Sequence, residues 1–143
     1  MTKITAKKKT TLKSCYRKSG DETYTFFAWQ WNVSRLMDYI EKNQIESEEF
    51  PMSQMEGLVK FIQGMVRINE EYLPKVDIRK PGILLDLGKG GNILVDGNHR
   101  MMRAHQIGAE SIPLYCIPFE IQVNFLTESF MQEAMLKMNK GED

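Results

Sequence analysis

A five-residue segment, Asp96-Gly97-Asn98-His99-Arg100, constrains the fold of this chain more than any other feature. The apolar run 92–95 precedes it, and apolar residues at helical spacing follow it as far as Gly108. This order predicts a strand, a glycine turn and a helix. The first turn of a helix presents free backbone N–H groups and the positive end of the helix dipole, so we expect the segment to bind an anion such as phosphate.

Cationic residues near the turn strengthen this expectation. His99, Arg100 and Arg103 lie in the first two predicted helical turns, where a cation costs about a few tenths of a kcal/mol unless an anion is present. Arg100 offers a bidentate fork to phosphate oxygens, and His99 can donate a hydrogen bond or act as an acid or base. The predicted phosphate-binding residues are Gly97, Asn98, His99, Arg100 and Arg103.

Asp96 and Asn98 each have several chemical roles open to them. Asp96 can hold Mg²⁺ through water, fix the arginine, or accept a proton from a hydroxyl, which makes it a candidate for metal binding and for catalysis. Asn98 can cap the helix or orient a ligand oxygen. The alternative is purely structural: Asp96-Gly97-Asn98 forms an ordinary turn and cap, and Arg100 pairs with Asp96.

The remainder of the chain predicts a single α+β domain covering residues 1–143. The length of 143 residues, with 42% hydrophobic and 27% charged residues, is typical of one globular domain. Aromatic and β-branched runs predict an N-terminal hairpin, and a mixed small sheet with about four helices completes the expected fold. The predicted strands are 11–17, 23–33, 83–85, 92–95 and 111–118, and three helices are predicted to be capped by Ser34, by Ser53 with Glu56, and by Thr127.

Basic residues are concentrated at the N-terminus, although Lys+Arg and Asp+Glu balance at 19 each. Residues 1–10 are expected to form a basic flexible arm, which either is a solvated terminus or contacts DNA phosphates. The cysteines, Cys15 and Cys116, have no metal-ligand spacing and are expected to be reduced core residues. No apolar run is long enough to span a membrane, so a cytoplasmic location without a membrane partner is expected. The candidate DNA contacts are Lys3, Lys7, Lys8, Lys9 and Lys13.

Residues 92–100, followed by Ala104, Gly108 and the run 112–115, resemble the ParB/sulfiredoxin-like superfamily. In that superfamily a strand delivers a short turn containing Gly, His and Arg to the N-terminus of a helix. The resemblance covers a motif core at 81–118. It implies an α+β fold that binds ATP or CTP, with the motif histidine and arginine in contact with phosphates.

Members of the superfamily differ in chemistry. Sulfiredoxins place a catalytic cysteine before the His-Arg pair, where this chain has Asn98, so repair of oxidised peroxiredoxin is excluded. Free-serine kinases carry Asp-Gly-His-His-Arg, from which this chain departs only at Asn98, and they use an upstream glutamate as base, for which Glu41 is the candidate. Partition proteins that use CTP carry a Gly-Glu-Arg-Arg turn and a downstream helix-turn-helix domain, for which this chain has no room.

The expected function is therefore nucleotide binding with Mg²⁺-assisted hydrolysis or transfer of the terminal phosphoryl group. The catalytic candidates are Asp96, His99 and Glu41. The chain is similar in size to small phage and plasmid members of the superfamily, which are described as ATPases or DNA nucleases. Two alternatives stay open: a ParB-like protein that binds or cleaves DNA, and a nucleotide-gated interaction module without catalysis.

Overall fold

The computed structural model describes residues 14–141, which form an α+β structure with two small sheets and five α-helices. The α+β prediction is confirmed, and the described residues contain more helices than the sequence predicts. The strands are β1 (Thr23–Phe26), β2 (Trp29–Asn32), β3 (Glu48–Pro51), β4 (Gly82–Asp86), β5 (Asn92–Asp96) and β6 (Ser111–Ile117). The α-helices are α1 (Val33–Lys42), α2 (Glu56–Met65), α3 (Asn98–Gln106), α4 (Phe119–Gln122) and α5 (Ser129–Lys140).

The chain divides into two compact units, and each is described by itself. Within residues 14–141, the first unit comprises 14–45, Leu85–Asn92 and 117–141, and the second comprises Glu46–Leu84 and Ile93–Cys116. The predicted basic arm and its lysines lie outside the described residues. In the part of the chain from 14 to 141, no helix is both long and apolar enough to cross a membrane.

The hairpin of the first unit is formed within one predicted strand rather than between two. β1 and β2 pair antiparallel, with Thr23 opposite Asn32 and Phe26 opposite Trp29. Phe27 lies at the reversal with a φ of +52°, a left-handed conformation that a bulky side chain rarely adopts. The predicted hairpin between 11–17 and 23–33 is therefore wrong, since the second run turns back on itself and residues 14–17 form no strand.

Helix α1 begins two residues earlier than predicted because a different side chain caps it. The side chain of Asn32 accepts a hydrogen bond from the backbone N–H of Arg35 at 3.1 Å. The predicted cap, Ser34, lies inside the helix, where its hydroxyl accepts from the N–H of Glu22 at 2.8 Å. Asn32 is fully buried, so the first turn of α1 is fixed by an internal amide.

Helices α4 and α5 complete the first unit around buried polar groups. The indole N–H of Trp31 donates to the side-chain oxygen of Gln122 at 2.7 Å, and both residues are fully buried. The predicted cap of the last helix is wrong: the hydroxyl of Thr127 donates to Gln30 Oε1 at 3.0 Å, and Glu128 holds the cap position without a side-chain hydrogen bond. These polar pairs anchor the hairpin to the C-terminal segment of the unit.

The second unit contains most of a four-stranded sheet with the order β3-β6-β4-β5. β3 pairs antiparallel with β6, and Glu49 lies opposite Pro113. The sequence predicts a polar connector at 44–50, but β3 begins within it. The strand was not recognisable because it lies at the edge of the sheet and its polar residues show no apolar alternation. The prolines of the predicted strand 111–118 favour an edge strand or a strand terminus. Pro113 is instead the third residue of the interior strand β6, whereas Pro118 directly follows the end of β6.

Helices α2 and α3 pack on the apolar core of the second unit. The sequence predicts an apolar face of α2 formed by Met55, Leu58, Val59, Ile62, Met65 and Val66. The prediction is confirmed at Met55, Val59 and Ile62, which are buried, but Met65 is exposed at the end of the helix. The predicted capping box is wrong, because Met55 is the cap residue of α2 and no side chain caps it. The core consists of Met55, Val59, Ile62, Leu84, Leu94, Met101, Ala104, Ile112 and Leu114.

Candidate functional site

The turn between β5 and α3 is held by the close approach of two glycines. Gly97 has a φ of +98°, and a Cβ atom there would lie 2.9 Å from the Cα of Gly82. A Cβ atom on Gly82 would lie 2.7 Å from the carbonyl oxygen of Asp96. Both the left-handed backbone and the contact require glycine at position 97. The sequence assigns Gly97 to ligand approach, and the structure gives it a packing role as well.

The start of α3 lacks the groups that usually satisfy a helix N-terminus. Gly97 is the cap residue, no side chain caps the helix, and its first turn contains no acidic residue. Among residues 14–141, no group accepts a hydrogen bond from the backbone N–H of Asn98, His99 or Arg100. The N–H of Met101 donates to the carbonyl of Gly97 at 2.9 Å and closes the first helical bond. Three donors therefore converge at the positive end of the dipole.

The other four α-helices each begin with a capping or an acidic side chain. In α1 the cap is the amide of an asparagine, and in α2 and α4 a glutamate lies in the first turn. In α5 the cap residue itself is a glutamate. These residues are Asn32, Glu56, Glu120 and Glu128. Helix α3 is the exception among the described helices, and it carries cations instead.

Asn98 does not cap α3, contrary to one of its predicted roles. It is the first residue of the helix, and its side-chain amide donates to the carbonyl of Leu94 at 3.4 Å. Because Gly97 occupies the cap position, the amide of Asn98 points back along β5 toward its own strand. The other predicted role, orientation of a ligand oxygen, stays a prediction.

Arg100 links the start of α3 to the residues that precede β4. Its Nη1 donates to the carbonyl oxygens of Pro81 at 2.7 Å and Lys80 at 3.3 Å. Its Nη2 lies 3.5 Å from Asp96 Oδ2, and the arginine side chain is only 18% exposed. The ion pair expected by the structural alternative is therefore present. Arg100 holds the turn in place, and only part of its guanidinium is available to a ligand.

His99 is held by a loop that the sequence did not connect with the turn. The backbone N–H of Asn69 donates to His99 Nε2 at 3.1 Å. The ring of Tyr72 contacts the imidazole edge to face, with centroids 5.4 Å apart. Since Nε2 accepts this hydrogen bond, we assign the proton of the neutral ring to Nδ1. Nδ1 is then the atom through which His99 can donate to a bound anion.

The segment 69–72 has its own internal order. The side-chain oxygen of Asn69 accepts from the N–H groups of Glu71 at 3.1 Å and Tyr72 at 3.3 Å. This pattern is an Asx turn, in which a short polar side chain replaces a backbone acceptor. Asparagine followed by acidic residues signals a turn in the sequence, but no local signal indicates that the turn contacts His99.

Arg103 lies one helical turn beyond the start of α3 and is half-buried. Its Nη1 donates to Gln106 Oε1 at 3.1 Å. Arg103 belongs to the last turn of α3, so its positive charge lies farther from the helix N-terminus than those of His99 and Arg100. Arg103 is thus placed in the same unit as the predicted phosphate-binding residues Gly97–Arg100.

The remaining predicted site residues are Asp96 and Glu41. The Asp96 side chain is 32% exposed and faces Arg100. In residues 14–141 no group of three or more His, Cys, Asp or Glu side chains is arranged to hold a metal ion. Glu41 is exposed on α1 in the first unit, whereas Asp96 and His99 belong to the second. The catalytic role of Glu41 stays a prediction from the family resemblance.

Comparison with known proteins yields no relative for this chain. No family model matches it, and no curated protein and no solved structure is significantly similar to it. The geometry of the turn and the motif in the sequence therefore carry the functional argument.

Proposed function

We propose that the turn at Asp96–Arg100 binds the terminal phosphates of a nucleotide, ATP or CTP, and that the protein hydrolyses or transfers the terminal phosphoryl group with Mg²⁺. The observation that carries this proposal is the start of α3. Its first three N–H groups have no acceptor within residues 14–141, and no acidic side chain offsets the helix dipole. A glycine in the left-handed region followed by free N–H groups is a common anion-binding arrangement.

The choice of a nucleotide rests on the resemblance of residues 81–118 to the ParB/sulfiredoxin-like superfamily. In this proposal the backbone of 98–100 holds phosphate oxygens, and Nδ1 of His99 and the guanidinium of Arg103 add charge-assisted hydrogen bonds. Arg100 keeps the helix start against the Pro81 carbonyl and contributes the long-range attraction of its charge.

Asp96 is the residue that fits Mg²⁺ in this arrangement. It supplies a single carboxylate, so the other ligands of the ion would be phosphate oxygens and water, as is usual for Mg²⁺ at phosphate sites. Bound Mg²⁺ would offset the charge of the phosphates. Asp96, His99 and Glu41 stay the candidates for proton transfer to or from the acceptor.

The sharpest test places an anion on the protein itself. Asn98→Asp introduces a carboxylate at the first helical position, where it stabilises the dipole by about 0.3–1 kcal/mol. The same carboxylate repels phosphate and competes for its donors, so nucleotide affinity should fall by about tenfold or more. Asn98→Ala is the matched control, because it also removes the bond to Leu94 but adds no charge. Titration calorimetry with ATP and CTP measures the affinity, and urea unfolding measures the stability.

Opposite changes in stability and affinity are the expected signature of Asn98→Asp. Equal nucleotide affinity for wild type and Asn98→Asp would contradict a phosphate site at this turn, as would the absence of binding to wild type. A charge change elsewhere in the second unit, Gln54→Glu on an exposed residue, should leave affinity unchanged.

Turnover separates the enzyme from a binding module. Wild type with ATP or CTP and Mg²⁺ should release phosphate or transfer it to an acceptor, and Asp96→Asn should lose this activity while retaining nucleotide binding. Binding without turnover would favour the nucleotide-gated interaction module and would contradict the catalytic part of the proposal.

A further inference from the structure

A groove of about 530 Å³ lies in the second unit beside the candidate turn. Its apolar walls come from Val66, Ile68, Leu73 and Met102, and the amides of Gln63 and Gln106 lie among its polar lining groups. The volume falls within the range of about 300–1,000 Å³ that is typical of small-molecule sites. A groove lined by both apolar side chains and polar groups suits a flat ligand with apolar faces and a polar edge.

The groove is connected to the turn along one face of α3. His99, Met102 and Gln106 are spaced by three and four residues, so they share a helix face. With a rise of about 1.5 Å per residue, Met102 and Gln106 lie about one and two turns from His99. The groove therefore begins within one helical turn of the proposed phosphate site.

The loop that lines the groove is also the loop that is bonded to His99. Ile68 and Leu73 contribute to the groove, and Asn69 and Tyr72 between them contact the imidazole. Leu73 is only 3% exposed, so it anchors this loop to the unit. A ligand at the turn and a ligand in the groove would thus contact one continuous surface formed by α3 and residues 68–73.

Charge distinguishes the two ends of this surface. Within residues 14–141 the groove is lined by one carboxylate, that of Glu70, and one imidazole, that of His105, and it offers no run of free backbone N–H groups like that at the turn. His99, Arg100 and the free N–H groups lie at the start of α3, where they favour a phosphate. A ligand with an anionic end and a neutral flat end would therefore bind in one orientation.

We propose that the groove binds the heterocyclic base of the nucleotide whose phosphates occupy the turn, an inference that rests on the proposed function. The thioether of Met102 and the aliphatic walls pack against the faces of the ring, since methionine contacts aromatic rings favourably. Gln106 Oε1 accepts from Arg103 at 3.1 Å, so its NH₂ group is the part of the amide that can donate to the edge of the base. The amide of Gln63 supplies both a donor and an acceptor.

The test fills the groove without touching the turn. Gln63→Trp places a large side chain at an exposed position of the groove, and Gln54→Trp is the matched control, an exposed glutamine of the same unit that does not line it. Binding of ATP, CTP, tripolyphosphate, adenosine and cytidine is measured by calorimetry and, for the weak nucleosides, by ligand-observed NMR. Gln106→Trp repeats the test from the α3 side of the groove.

Wild type should bind at least one of the two nucleotides about tenfold more tightly than tripolyphosphate, the scale of a single base-packing contact. Gln63→Trp should reduce nucleotide affinity to the tripolyphosphate level, leave tripolyphosphate binding unchanged and abolish nucleoside binding. Nucleotide affinity equal to that of tripolyphosphate and insensitive to Gln63→Trp would overturn the groove proposal while leaving the phosphate site intact. Nucleoside binding that Gln63→Trp abolishes, without any phosphate binding, would support the groove and overturn the proposed function. Binding of none of these ligands would overturn both.

Discussion

The N-termini of α1 and α3 present the same backbone groups, but the protein satisfies only one of them. At α1 the N–H groups of Val33 and Ser34 donate to the carbonyl of Glu22 at 2.9 and 3.4 Å, and that of Arg35 donates to Asn32. At α3 the first three N–H groups have no acceptor among residues 14–141. An unsatisfied helix start is stable in water, and it leaves its donors available for a ligand.

Two asparagines make the difference concrete. Asn32 precedes α1 with an extended backbone, which directs its side-chain oxygen toward the first turn. Asn98 follows a left-handed glycine and is already inside α3, so its amide turns to Leu94 instead. The position of an asparagine relative to the helix start therefore decides whether its side chain caps the helix or leaves the first N–H groups free for a ligand.

The largest expected effect is the contrast between Asn32→Ala and Asn98→Ala. Asn32→Ala removes the cap of α1 and a buried amide that also donates to Asp21 at 2.9 Å, so it should lower the free energy of unfolding by about 2–4 kcal/mol. Asn98→Ala removes one long hydrogen bond and should cost less than about 1 kcal/mol. Urea unfolding followed by circular dichroism measures both. Equal losses would mean that Asn98 also stabilises its helix start, and the comparison would fail.

A smaller effect is expected from the carboxylate that supports the α1 start. The pKa of Asp21 is lowered first by the hydrogen bond from the Lys18 N–H, then by the Asn32 amide and by the charge of Arg35. A folded-state pKa below the unfolded one stabilises the protein above the unfolded pKa of about 3.9, and this contribution is lost as pH falls through the lower folded pKa. The stability difference between wild type and Asp21→Asn should therefore be constant from about pH 7 to pH 5 and shrink in more acidic solution.

The matched control for this pH dependence is Asp38→Asn. Asp38 pairs with the same arginine at 3.1 Å, but it is exposed, and its loss should change stability by less than about 0.5 kcal/mol. A difference between wild type and Asp21→Asn that does not shrink in acid would show that the Asp21 carboxylate does not act through its charge.

The sequence predicts some elements of the structure well and misses others. The strand, turn and helix at 92–106 are predicted well, because a glycine between two periodic apolar runs is a local signal. The reversal at Phe27 is not, because its positive φ belongs to a residue that rarely adopts it. β3 is missed because its acidic and exposed residues lack an apolar pattern.

The candidate site is also predicted only in part from the sequence. The motif predicts which residues surround the turn, and the helix spacing predicts that Arg100 can reach Asp96. The bonds from Arg100 to the Pro81 carbonyl and from Asn69 to His99 join positions 19 and 30 residues apart in the chain. Such contacts depend on how the strands are arranged, and no local pattern in one sequence encodes them.

A still smaller effect is expected at His99, whose side chain serves a neighbouring loop rather than its own helix start. His99→Phe removes the acceptor for the N–H of Asn69 and should lower the protection of that amide against hydrogen exchange by about 1 kcal/mol. His99→Gln retains an acceptor and serves as the control, with a smaller loss. Hydrogen exchange of the Asn69 amide, measured by NMR, distinguishes the two variants. Equal protection in wild type and His99→Phe would contradict a stabilising hydrogen bond from Asn69 to His99.

The smallest expected effect uses the two thiols as local reporters of the two regions. Burial raises the pKa of both Cys15 and Cys116, so both should react with iodoacetamide at pH 7 more slowly than an exposed cysteine, because the thiolate is the nucleophile. The carbonyl of Cys15 accepts from the side-chain amide of Asn32 at 3.4 Å, whereas Cys116 lies on β6 in the second unit. Asn32→Ala should therefore accelerate alkylation of Cys15 and leave Cys116 unchanged, and Asn98→Ala should accelerate neither. If Asn32→Ala accelerated alkylation of both thiols, the α1 cap would not act locally. Loss of the cap would then expose Cys116 as well, through a lower stability of the whole chain.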